Sequence, residues 1–186
     1  MAEVKQNIIT QGMSGAIGKQ VVFKRYGNRT IVSAMPDMSK VVKSKKQKAE
    51  NSRFREAIIY ARGQVADPVS KAEYKAKAKG MQKPHNVAIA DFYHAPEIKK
   101  IDASNIRTAQ SLTIHAVDDF KVVDVLVEIY DMDGILLEEG HAIEVREWCW
   151  SYKITKIMAY HQLHILVAAF DKPGNKCVQE LEVVLD

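Results

Sequence analysis

From Ile98 onward the apolar residues recur at every second position, and this period most constrains what the chain can fold into. Across Lys121–Tyr130, Val123, Val125, Val127 and Ile129 alternate with Asp124 and Glu128. Leu163, Ile165, Val167 and Ala169 repeat the pattern, as do Trp148, Trp150 and Tyr152. Side chains on a strand point to alternate faces, so each such segment buries one face and wets the other. Asp131-Met-Asp-Gly134 and Lys172-Pro-Gly-Asn175 are turn chemistry, with Gly and Asn supplying φ > 0. The pattern predicts strands at Ile98–Ala103, Gln110–Val117, Lys121–Tyr130, Ile135–Glu139, Glu147–Ile154, Leu163–Phe170 and Lys176–Val184. Seven short antiparallel strands predict an all-β immunoglobulin-like sandwich. Cys149 and Cys177 fall on the wrong strands for the disulfide of antibody domains, so packing alone is expected to hold it.

The charge reverses sign near Pro96. Residues 1–95 hold 18 Lys+Arg against 7 Asp+Glu, net +11, and residues 96–186 hold 9 against 16, net −7, which sum to the formal +4 of the chain. A shift this abrupt at a proline predicts two modules with different surfaces, residues 1–95 and 96–186. At 186 residues the chain is long enough to bury a core without covalent staples. The longest apolar run, Ile165–Phe170, falls far short of the roughly 20 residues a membrane span needs. With two cysteines lacking metal spacing and no signal-peptide pattern at the start, a cytoplasmic location is expected.

The basic half predicts an α+β module, a β-hairpin followed by three helices. Gln20–Arg25 and Thr30–Ala34 flank Tyr26-Gly-Asn-Arg29 as hairpin strands. A helix is predicted from about Ser44 to Val65, burying a stripe of Phe54, Ala57, Ile58, Ala61 and Val65; Ile59 lies off that stripe and needs another neighbour. Asp67-Pro68 starts a second helix, with Ser70-Lys-Ala-Glu73 as its capping box and Gly80 as its stop. Pro84 opens a third, closed by Pro96.

Gly15-Ala-Ile-Gly18, Val21-Val-Phe, Gly27-Asn-Arg with Ile31-Val32, and a helix holding Gln47, Arg53 and Phe54 form one set of features. Asn86–Phe92 with Ala95-Pro96, Val117-Asp-Asp-Phe120 and Asp171–Asn175 form another. Together they resemble an uncharacterised bacterial family of Bacteroidota type, which couples a basic hairpin-and-helix domain to an Ig-like tail. The resemblance implies that architecture and adds no catalytic residue.

The motifs that suggest chemistry fail on spacing. Gly12-Met-Ser-Gly-Ala-Ile-Gly18-Lys19 has five residues between its outer glycines and Gln20 after the lysine, so it is not a phosphate loop. His161 and His164 at i, i+3 point to opposite faces of a strand. Ser14 lacks the second glycine of a nucleophile elbow, and Glu138-Glu139 are neighbours rather than acids across a cleft. Neither catalytic nor metal residues are expected; nor is a cofactor, a small-molecule substrate or a membrane partner. Asp118, Asp119 and Asp171 lie on loops at one end of an Ig topology, where their oxygens could meet over calcium or simply make turns.

The remaining signal is cationic. Lys24, Arg25 and Arg29 lie beside Phe23 and Tyr26, followed by Lys43, Lys45, Lys46, Lys48, Arg55, Arg62, Lys71, Lys75 and Lys79. Cations interleaved with aromatics suit an acidic partner or nucleic acid. No helix-turn-helix, RNA-recognition or zinc motif accompanies them. The expected function is therefore non-enzymatic: protein contacts or self-association of oppositely charged modules, with sequence-nonspecific nucleic-acid binding as the alternative. Ile98–Ala103, as an exposed edge strand, would offer a further attachment route by strand addition.

Overall fold

The computed structural model describes residues 2–4, 8–10, 12–37, 39, 41–155 and 161–185. Among them are twelve strands and three helices, an α+β chain dominated by three antiparallel four-stranded sheets. Two compact units emerge, Met1–Lys48 and Ala49–Asp186.

The first unit is a sheet. Strand β1 (Ala2–Val4), β2 (Gly15–Ile17), β3 (Val21–Tyr26) and β4 (Arg29–Ala34) lie in the order β1-β4-β3-β2. The expected hairpin is β3–β4, turning at Gly27-Asn28 with Tyr26 opposite Arg29. Its flanking partners β1 and β2, three residues each, are too short for a periodicity to register. The unit ends on a capping box that opens α1 (Lys45–Ala66): the Gln47 N–H donates to Ser44 Oγ and the Ser44 N–H to Gln47 Oε1.

In the second unit, the body of α1 is followed by α2 (Pro68–Lys77) and α3 (Pro84–Tyr93). Asp67 caps α2 by accepting the Ser70 N–H at 2.8 Å, and Pro68 sits where a missing N–H costs nothing. The expected capping box at Ser70–Glu73 does not form, because Asp67 is the N-cap and Ser70 lies inside the first turn, where Lys172 engages both side chains. α2 ends at Lys77, three residues before Gly80, since Ala78 is already extended. On α1, Ala57 and Ala61 are fully buried, whereas Phe54 is half exposed and Ile59 is exposed.

The eight remaining strands form two sheets. β5 (Glu97–Asp102), β6 (Ser111–Val117), β10 (Cys149–Lys153) and β9 (Ile143–Arg146) give the order β5-β6-β10-β9. β12 (Lys176–Val184), β11 (Gln162–Asp171), β7 (Val122–Tyr130) and β8 (Leu136–His141) give β12-β11-β7-β8. The seven predicted strands are all present, and β9 is an eighth. Its residues are exposed on both faces, so it carries no alternation to read. One core joins the two sheets: Leu112, Ile114, Trp150 and Tyr152 from the first meet Val125, Val127, Ile129, Leu163, Ile165 and Val167 from the second. Each aliphatic side chain buried in this way contributes about 1.5–3 kcal/mol.

Bulges correct two details of the predicted alternation. Opposite Phe170/Asp171 the pairing of β7 skips Val123, which turns outward and leaves Val122 in the core. Trp148 precedes β10 rather than joining its inner face; it adopts φ 63° and is half exposed, while Trp150 and Tyr152 are buried.

The module boundary expected at Pro96 is displaced as well. Pro96 is buried, and Asn175 Nδ2 donates to the carbonyls of Phe92 and His94 just before it. The helices are thereby tied to the β-rich part, and the division between compact units falls after Lys48.

Gly140 shows how tightly β8 packs. A Cβ there would lie 2.9 Å from Tyr152 Cε2, whose ring is buried and whose hydroxyl donates to Glu138. Gly140→Ala should therefore displace that ring and lower stability by about 1–3 kcal/mol, read as a reduced midpoint in urea unfolding.

Candidate functional site

All twelve cations singled out from the sequence are exposed. Lys24, Arg25, Arg29, Lys43, Lys45, Lys46 and Lys48 belong to the first unit, and Arg55, Arg62, Lys71, Lys75 and Lys79 to the second. Lys40, in the same lysine-rich stretch, lies outside the described residues. Counted over the compact units, residues 1–48 carry 10 Lys+Arg and 2 Asp+Glu, net +8; residues 49–186 carry 17 and 21, net −4.

The sheet of the first unit sorts its side chains by face. Strand register puts Ile17, Val21, Phe23, Val32 and Ala34 on one face. Lys24, Tyr26, Arg29 and Ile31 share the other, where Glu3 pairs with Arg29 at 3.5 Å. Phe23 and Tyr26 are thus on opposite faces and make no common stacking platform, contrary to the interleaving expected from their spacing. Among the described residues of this unit Thr30 alone is buried; Val21, Phe23 and Val32 are half-buried and Ile17 is exposed.

In the second unit a polar network forms where the helices meet the β-rich part. Tyr74 Oη donates to Asp91 Oδ2 at 2.5 Å, and Tyr60 Oη lies 2.7 Å from Tyr74 Oη. Tyr74 stacks on Phe120 of the β6–β7 loop with centroids 4.0 Å apart. Lys172 lies over both rings and donates to Ser70 Oγ at 2.6 Å and Glu73 Oε2 at 2.7 Å. That bond to Lys172 holds the Glu73 carboxyl below its ordinary range. Burial pushes both tyrosine hydroxyls well above theirs.

Asp118 and Asp171 converge as the loop argument expected, and they do so around a third carboxylate, Asp91. Burial first, then the charges of Asp118 and Asp171, raises the Asp91 carboxyl from 3.8 to about 6 against the lowering effect of the Tyr74 hydroxyl. Asp91 Oδ1 and Asp118 Oδ1 are both buried without a hydrogen-bond partner. Asp171 instead receives the Gly174 and Asn175 N–H groups, closing a turn in which Gly174 takes φ 93°. Asp119 turns away to His94 Nδ1 at 2.6 Å. Among the described residues no group of three His, Cys, Asp or Glu side chains is placed to hold a metal ion. The acids meet as turn and core groups. Asp91 was the residue missed from the sequence; its signal was a lone acid on the Ala88 face of an otherwise apolar helix.

The edges of the two sheets also differ. β5, the edge expected to accept an added strand, is interrupted between Ile98 and Lys100. β12 pairs with β11 over nine consecutive residues without a bulge and ends its sheet, with β5 of the other sheet beside it.

No protein-family model matches the chain, and no curated protein matches it significantly. A crystal structure of a tetra-tandem repeat in the extending region of a large adhesion protein is similar at TM-score 0.35 and 19% identity. The match covers 49% of this chain and 23% of that one.

The raised Asp91 carboxyl gives a signed pH dependence. The folded chain holds this proton more tightly than the unfolded chain, so the stabilisation is complete below about pH 4 and is lost as pH rises through about 6. A rise of this size corresponds to about 3 kcal/mol. Asp91→Asn retains an acceptor for Tyr74 and should flatten the decline, measured by urea unfolding at pH 4.5 and pH 7.

Proposed function

We propose that this chain is a non-enzymatic interaction protein that works through protein contacts, foremost self-association. The observation that carries the reading is the segregation of charge between two compact units, +8 in residues 1–48 and −4 in residues 49–186. The basic unit of one copy attracts the acidic unit of another, and head-to-tail docking of that kind closes into rings or extends into filaments. The face carrying exposed Ile17 and half-buried Val21, Phe23 and Val32 supports it, because a small sheet gains stability when such apolar residues are packed. β12, an unbulged strand at the end of its sheet, adds a route for strand addition.

We read the β-rich part as Ig-like. The orders β5-β6-β10-β9 and β12-β11-β7-β8 correspond to an A-B-E-D sheet facing a G-F-C sheet, with β8 as an added edge strand. In that reading it is a scaffold whose edges and loops do the work.

Nucleic-acid binding is the second reading, favoured by the exposure of all twelve cations and by Lys24, Tyr26 and Arg29 sharing a face. Light scattering at two salt concentrations, with and without added nucleic acid, separates the two. Self-association predicts a mass that rises with protein concentration and falls with salt, and that Lys45/Lys46/Lys48→Glu returns to monomer. A chain monomeric throughout would sink it. Nucleic-acid affinity that drops steeply with salt and vanishes in the same variant would establish the alternative.

A further inference from the structure

Two adjoining recesses lie where α2, the β6–β7 loop and the β9–β10 hairpin meet. The first, of about 290 Å³, is lined by Glu73, Ala76, Lys77, Phe120 and Lys121. The second, of about 210 Å³, shares Lys77, Phe120 and Lys121 and adds Glu144, Glu147, Trp148 and Trp150.

Trp148 has the feature that calls for a reason. Its φ of 63° lies in the left-handed region, where a bulky side chain costs about 1–3 kcal/mol and persists only when its surroundings hold it. Its carbonyl is held by the Ala116 N–H at 3.2 Å. The strained backbone does not bury the indole, which remains 49% exposed. The left-handed residue closes the two-residue turn Glu147-Trp148 between β9 and β10, and this turn sets the indole at the recess. Beside it, Trp150 is buried, and its Nε1–H has no hydrogen-bond partner among the described residues.

The lining divides into two chemistries. Half-exposed Trp148, with the buried rings of Phe120 and Trp150 in the same lining, presents aromatic surface next to Glu144 and Glu147, a combination that attracts an ammonium group. Lys77 and Lys121 stand at the part common to both recesses and attract an oxyanion. Among the described residues, none of Lys77, Lys121, Glu144 and Glu147 is engaged in an ion pair. A lone cation would meet the two lysines and a lone anion the glutamates, whereas a ligand bearing both charges satisfies both sets. The volume falls below the roughly 300–1,000 Å³ of drug-sized pockets, which suits a headgroup or an amino-acid-sized molecule.

We propose that this recess binds a small zwitterion, an ammonium group joined to a phosphate or carboxylate, with the cation at the tryptophans and the oxyanion at Lys77 and Lys121. The full chain is titrated with phosphocholine and with glycine betaine, followed by tryptophan fluorescence and calorimetry. At least one should give a saturable change, with tetramethylammonium or inorganic phosphate alone binding at least tenfold more weakly. Glu147→Gln and Lys121→Ala, both at exposed positions, should each weaken binding at least tenfold, and Trp148→Ala should abolish it.

The proposal is overturned if neither zwitterion saturates, if tetramethylammonium alone binds equally well, or if Glu147→Gln and Lys121→Ala leave affinity unchanged. Phosphatidylcholine vesicles distinguish the source. Vesicle binding competed by free phosphocholine supports the site and assigns a lipid headgroup; zwitterion binding without vesicle binding supports it and assigns a soluble molecule. Vesicle binding indifferent to the free headgroup, with neither zwitterion saturating, counts against the recess.

Discussion

The contact between Tyr74 and Phe120 governs how the second unit is put together. An aromatic from a helix lies flat on one from a loop between strands, with the Lys172 ammonium over both rings. Stacked rings and a partly desolvated cation attract each other more strongly than exposed groups would. Lys172 also reaches Ser70 and Glu73 on α2, so one side chain from the β11–β12 turn is held by two elements, α2 and the β6–β7 loop. The tyrosine hydroxyl then delivers its hydrogen bond to Asp91 on α3. Without Tyr74 the buried carboxylate would keep only the longer hydrogen bond from Tyr60.

This arrangement places unlike demands side by side. The core between the two sheets is mainly aliphatic, and Tyr152 sends its hydroxyl out of it to Glu138. The junction beside it buries Asp91 and Asp171, and each survives there by a different device. Asp171 is satisfied by backbone N–H groups of its own turn, a local solution. Asp91 depends on hydroxyls from two other helices and keeps one oxygen unpartnered. Burying a charge costs several kcal/mol unless it is paired or neutralised, so the carboxyl holds its proton to higher pH. The helical layer therefore docks through its most conditional contact.

Much of the fold was legible in the sequence because the signals are local. Alternation along Leu163–Ala169 reports the face a strand buries, and Asp67-Pro68 and Pro84 report helix starts whatever surrounds them. Val123 escaped because a bulge is a property of two strands, and β9 because an edge strand exposed on both faces has no period. The candidate sites were less legible. The cations could be named but not sorted into faces, since only strand register separates Phe23 from Tyr26. Asp118 and Asp171 were placed correctly at one end, yet the third acid of their cluster comes from a helix on the far side of the charge reversal.

By itself the sequence determined the order of elements, the antiparallel β character after Ile98 and the basic character of the first part, because period, turn chemistry and charge are written residue by residue. The tertiary structure alone decided that Pro96 is buried, that the compact units part after Lys48, and that Trp148 takes a left-handed turn position beside a recess. Those outcomes depend on which side chains from distant segments fill the same space, and no local pattern encodes that competition.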